Sequence, residues 1–79
     1  MRKIGVVSHL SRRKRILVKA IVIPKLNTTV YDENNNEVGK VIDVLGPVKE
    51  PYISIKPNKK EGLEELIGKE IFIKNTKNG

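Results

Sequence analysis

Between Lys3 and Lys74 the chain breaks into six short runs rich in β-branched residues, none longer than nine residues. They are Lys3–Leu10, Arg15–Ile23, Leu26–Tyr31, Glu37–Leu45, Tyr52–Lys56 and Glu70–Lys74. Ten Ile and nine Val stand against a single Ala. Such side chains are stiff at χ1 and fit a pleated, half-buried surface better than a helix. The breaks between runs have physical causes. Pro24 has no N–H to give to a ladder. Asp32-Glu33-Asn34-Asn35-Asn36 is rich in residues that tolerate left-handed backbone. The one helical candidate is Leu63–Ile67, where Leu63, Leu66 and Ile67 share a face and Gly68 follows as a C-terminal stop. At about one turn it is expected as a 3₁₀ or short α piece. Six short strands in so small a chain predict an all-β fold, a six-stranded antiparallel closed barrel, since closure removes exposed sheet edges. The expected organisation is a single barrel domain over 1–74 and a flexible tail over 75–79.

Size and composition narrow the function classes. A chain of 79 residues buries only about 60% of the surface it exposes when unfolded, so its core is small. There is no cysteine, which excludes a disulfide framework and a thiolate metal site. No apolar run approaches the ~18 residues of a membrane span, and a secretory leader is not evident, so a cytoplasmic protein with no membrane partner is expected. The net charge is +7, which favours acidic partners, nucleic acid among them.

The densest information lies between Gly39 and Lys56. Val41, Val44 and Leu45 lead into Gly46-Pro47, and Pro51 introduces the alternating strand Tyr52-Ile53-Ser54-Ile55-Lys56. Glycine permits an unusual backbone angle and proline stiffens the corner. An ordinary exposed turn carries Asn, Asp or Ser; this one carries Leu45, Val48 and Tyr52 around it. A rigid apolar corner is a candidate docking surface. Val44, Leu45, Gly46, Pro47, Val48, Pro51, Tyr52 and Ile53 are its candidate partner-binding residues.

Catalytic and metal chemistry find little support. His9 is the sole histidine, and a general base needs a nucleophile or an orienting partner that no spacing supplies. Glu61, Glu64 and Glu65 read as a solvated face rather than convergent metal ligands. Neither a metal nor a cofactor is expected, and the chain is read as not an enzyme. Asp43, between Ile42 and Val44, alternates with Val41 and Leu45 and is expected to be partly buried with a backbone or lysine partner. Arg12, Arg13, Lys14 and Arg15 form the densest basic run and are possible RNA contacts, with a solubilising hairpin tip as the alternative. No aromatic interleaves them, so stacking on single-stranded bases is unsupported there.

The segment Gly39, Val41–Val44, Gly46-Pro47-Val48, Pro51-Tyr52 and Ile53–Pro57 resembles the central motif of the Gar1 family, the small barrel subunit of archaeal box H/ACA guide ribonucleoproteins. Pro24-Lys25-Leu26-Asn27 fits that family's lead-in, and the resemblance runs over roughly residues 4 to 73. Eukaryotic members carry Gly/Arg-rich tails; none is seen here, the archaeal pattern. The resemblance implies a barrel of the translation-factor second-domain type. It also implies a non-catalytic subunit that docks on the catalytic domain of the H/ACA pseudouridine synthase and promotes loading and turnover of substrate RNA in ribosomal RNA pseudouridylation and ribosome biogenesis. Contact with the guide RNA complex would then be indirect, and the docking face could pair with itself when the partner is absent. The alternative, resting on charge, is a free-standing basic barrel that binds RNA or the ribosome.

Overall fold

The computed structural model describes residues 1–74; the expected tail, 75–79, lies outside the described residues. Six strands form a closed antiparallel barrel: β1 (Arg2–Leu10), β2 (Ile16–Ala20), β3 (Thr29–Tyr31), β4 (Glu37–Leu45), β5 (Tyr52–Pro57) and β6 (Glu70–Ile73). Their order around the barrel is β1-β2-β5-β4-β3-β6, with β6 closing back onto β1. A 3₁₀ turn, Leu63–Leu66, precedes β6, and Gly68 follows it at φ 86 as the left-handed stop. This is the all-β barrel with one short helical turn that the six alternating runs predict.

Alternation builds the core. Ile4 and Val7 of β1, Ile16 and Val18 of β2, Val30 of β3, Val41 of β4, Ile53 and Ile55 of β5 and Ile71 of β6 all point inward and are fully buried. Leu63 of the 3₁₀ turn plugs the same cluster. At about 1.5–3 kcal/mol for each fully buried aliphatic side chain, these residues are the main favourable term in a chain without staples. Around them the Asp32 carboxylate closes the β3–β4 turn by accepting the Asn34 and Asn36 amides, each at 2.9 Å.

Two strands are shorter than their sequences suggest, β2 at its end and β3 at its start. After Ala20 the chain leaves the β2 ladder: the amides of Ile21 and Val22 both donate to the Ile4 carbonyl, at 2.8 and 3.3 Å. The run Ile21-Val22-Ile23 is β-branched yet lies in a bend. Likewise Thr28 donates through both N–H and Oγ1 to the Lys25 carbonyl, so residues 25–28 form a turn and β3 starts only at Thr29.

The register of β4 on β5 sets up the surface that matters below. Val41 pairs with Ile55 and Asp43 with Ser54, so Ile42 is an extra residue, a bulge. A bulge reverses the phase of alternation. Asp43 is therefore exposed, not partly buried, and its Oδ1 accepts the Val44 amide at 2.8 Å. The same reversal turns Leu45 outward, opposite Tyr52. Gly39 is needed one turn of the ladder earlier: a Cβ there would collide with the Lys56 carbonyl oxygen.

Candidate docking surface at the β4–β5 corner

The corner spans residues 46–51, between the closing pair Leu45–Tyr52. Gly46 has φ 89, a conformation that strains any residue with a Cβ. The Glu50 amide then donates to the Pro47 carbonyl at 3.1 Å and closes the turn. Pro51 ties the corner to the neighbouring strand, its carbonyl accepting the Ala20 amide at 3.1 Å. The loop is thus fixed at both ends by backbone hydrogen bonds and within by a proline.

On this frame Val48 is 96% exposed, Leu45 42% and Val44 37%. Val44 lies opposite the buried Ile53, at the mouth of the barrel. Tyr52 is half-buried and faces outward, between Leu45 on β4 and Lys19 on β2. Its ring meets the His9 ring edge-on, with centroids 6.2 Å apart. Ile53, expected among the docking residues, instead points into the core and is fully buried; its side chain is unavailable to a partner. Neighbours on a strand face opposite sides, and the barrel interior claims Ile53 and Ile55.

Two further exposed apolar residues lie just beyond the end of β2 and are not singled out by sequence reasoning. Ile21 and Ile23 follow the Ala20–Pro51 hydrogen bond and are 67% and 51% exposed. Their β-branched run reads as a buried strand, and nothing in it signals that the chain bends away from the ladder at this point.

The basic run lies elsewhere. Arg12, Arg13 and Lys14 are exposed at the β1–β2 turn, with Lys14 at φ 64, and Arg15 is half-buried. Because β2 pairs with β5 from Ile16–Ile55 to Lys19–Tyr52, this turn and the corner sit at opposite ends of the β2–β5 ladder. His9 is exposed, and its Nδ1 lies 3.0 Å from Oγ of the adjacent Ser8, a local contact between strand neighbours. Among the described residues no three His, Cys, Asp or Glu side chains gather into a possible metal site, and no helix is long and apolar enough to cross a membrane.

The fold and its surface are those of a small basic barrel with an apolar, braced corner. Residues 1–78 match the model of the Gar1/Naf1 RNA binding region, and the chain belongs to that family. It is 35% identical over 82 residues to an uncharacterized protein of Methanothermobacter thermautotrophicus, an alignment covering 98% of this chain and 89% of that protein. It is 46% identical over 44 residues to the H/ACA ribonucleoprotein complex subunit GAR1 of Debaryomyces hansenii, covering 56% of this chain and 20% of that one. The matched segment is thus about a fifth of the fungal subunit's length. The solved Gar1 domain of Naf1 superposes with a TM-score of 0.72 at 24% identity over 92% of this chain and 83% of that domain, the same fold.

Proposed function

We propose that this chain is a non-catalytic subunit of an H/ACA guide ribonucleoprotein. It docks through the β4–β5 corner on the catalytic domain of the pseudouridine synthase and promotes loading and turnover of substrate RNA. The observation that carries the reading is Val48, 96% exposed at the apex of a corner braced by Gly46, Pro47 and the Pro51–Ala20 hydrogen bond. A contiguous apolar surface on a small soluble barrel marks an interaction site. A rigid loop loses little conformational entropy on binding, so more of the contact energy appears as affinity. Relatives named as H/ACA ribonucleoprotein complex subunits support membership of such an assembly.

Promotion of turnover follows only if the barrel binds one state of a mobile synthase element better than another, because a ligand shifts an equilibrium by its differential affinity and no more. The reading is tested by co-purification of the chain with the synthase in the absence of RNA. Binding that persists in high salt supports an apolar docking surface. Salt-sensitive affinity for RNA together with no affinity for the synthase returns the free-standing RNA-binding barrel instead.

A further inference from the structure

Lys40 of β4 and Lys56 of β5 are directly opposed register partners, and both are exposed. Like charges facing each other across an antiparallel pair repel, their Cβ atoms being about 5 Å apart. Among the described residues no carboxylate pairs with either lysine. The one ion pair among the described residues is Lys3–Glu70, on the other side of the barrel. Glu37, on the same strand, accepts from Asn58 Nδ2 at 2.9 Å, and Asp43 accepts from its own strand. The two lysines share a groove with Asn27, Ile42, Pro57 and Asn58, and none of these is acidic. By contrast, the concavities beside the 3₁₀ turn carry the carboxylates of Asp32, Glu33, Glu37, Glu61 and Glu65, with Lys59 and Lys69.

The cationic row extends sideways. Arg15 precedes Ile16, which pairs with Ile55 next to Lys56 on β5, and Thr29 lies opposite Lys40 on the other flank. Thr29, Lys40 and Lys56 therefore line up across three neighbouring strands, and Arg15 lies immediately before the start of the fourth, β2. The row sits four residues along β5 from Tyr52, about 14 Å from the closing pair of the corner at 3.4 Å per residue.

We infer that this row is a phosphate-binding track for an RNA strand, with Lys40 and Lys56 gripping the backbone and the amides of the groove facing the nucleotides. An RNA strand is favoured over an acidic peptide because the groove adds amides and an apolar floor at Ile42 and Pro57 to its cations, and because the matching family model describes an RNA binding region. The inference does not depend on the corner docking the synthase, since the track lies away from it.

The test measures binding of the whole chain to a labelled single-stranded oligouridine by fluorescence anisotropy as a function of salt. Each phosphate contact on a single strand contributes about 0.7 to the slope of log affinity against log salt. The double variant Lys40→Gln/Lys56→Gln is expected to lower that slope by about 1.4 relative to wild type. The control Arg2→Gln/Lys69→Gln removes the same charge from the β1–β6 side and is expected to leave the slope unchanged. Amide resonances of residues 29, 40, 42 and 56 are expected to shift when the RNA is titrated into the wild-type chain. An equal loss in both double variants would assign binding to the overall field and overturn the track. So would competition by a polyglutamate peptide as effective as that by RNA of equal charge, or absence of RNA binding at about 50 mM salt.

Discussion

Tyr52 and Ile53 are chain neighbours with opposite duties, and exchanging their roles is the sharpest way to break the account. Ile53 is fully buried in the barrel core. Ile53→Val removes one methyl group there and costs about 0.5–1.5 kcal/mol. In a domain of this size each kcal/mol lowers the midpoint of thermal unfolding by about 4–8 °C, so a fall of roughly 2–12 °C is expected. Synthase affinity of the folded protein should hold. Tyr52 is half-buried on the outer face against Leu45, Lys19 and His9. Tyr52→Ala gives up an edge-to-face ring contact of about 0.5–1.5 kcal/mol, so some melting temperature is lost as well. At an interface, truncating an aromatic anchor costs on the order of 2 kcal/mol or more, roughly thirtyfold in affinity. The paired measurement is a thermal melt and a calorimetric titration of the synthase on the same two proteins. The reasoning fails if Tyr52→Ala keeps its affinity while Arg12→Ala/Arg13→Ala loses it, because the docking face would then be the basic turn at the opposite end of the ladder. It also fails if Ile53→Val weakens docking at unchanged stability.

Other consequences can be checked separately. Gly39→Ala places a methyl against the Lys56 carbonyl and should lower stability by roughly 1–3 kcal/mol, read by denaturant titration. Lys56→Gln relieves the repulsion with Lys40 and should raise stability by about 0.2–1 kcal/mol in the same assay. The β3–β6 seam pairs only through Tyr31 and Phe72, so hydrogen exchange of β3 and β6 amides at that seam should be the fastest among the strands. The purified chain alone should form no pseudouridine in a uridine-containing RNA, because among the described residues the one hydrogen-bond partner of His9 is its neighbour Ser8 and no acid, base or nucleophile is assembled around it.

Much of this was legible in the residues. Strand β4 runs over Glu37–Leu45 as the sequence predicts, because an Asx-rich turn starts it and Gly46-Pro47 ends it. Both boundaries are set by local backbone chemistry, which sequence displays. The alternation of β5 shows that it has two faces, but sequence reasoning places both Tyr52 and Ile53 at the corner; the barrel interior assigns Ile53 inward. Misreadings arise where tertiary hydrogen bonding overrides pattern. Nothing in Val41-Ile42-Asp43 announces a bulge, yet the extra residue reverses the phase and exposes Asp43. Ile21 and Ile23 have strand-forming side chains, but the Ile4 carbonyl captures the backbone amides of residues 21 and 22 and bends the chain outward. The corner was visible because glycine and proline mark it.

The most direct measurement of the central claim is the affinity of the H/ACA pseudouridine synthase for the chain, without RNA, with and without Val48→Asp. Val48 is 96% exposed, so an aspartate there costs the isolated barrel almost nothing, and the melting temperature should not change. Buried against a partner, the same carboxylate would be desolvated without a counterion, and the complex should be lost. The account predicts tight binding by the wild-type chain and little by the variant. Equal affinity for the two proteins, or no binding by either, would contradict it.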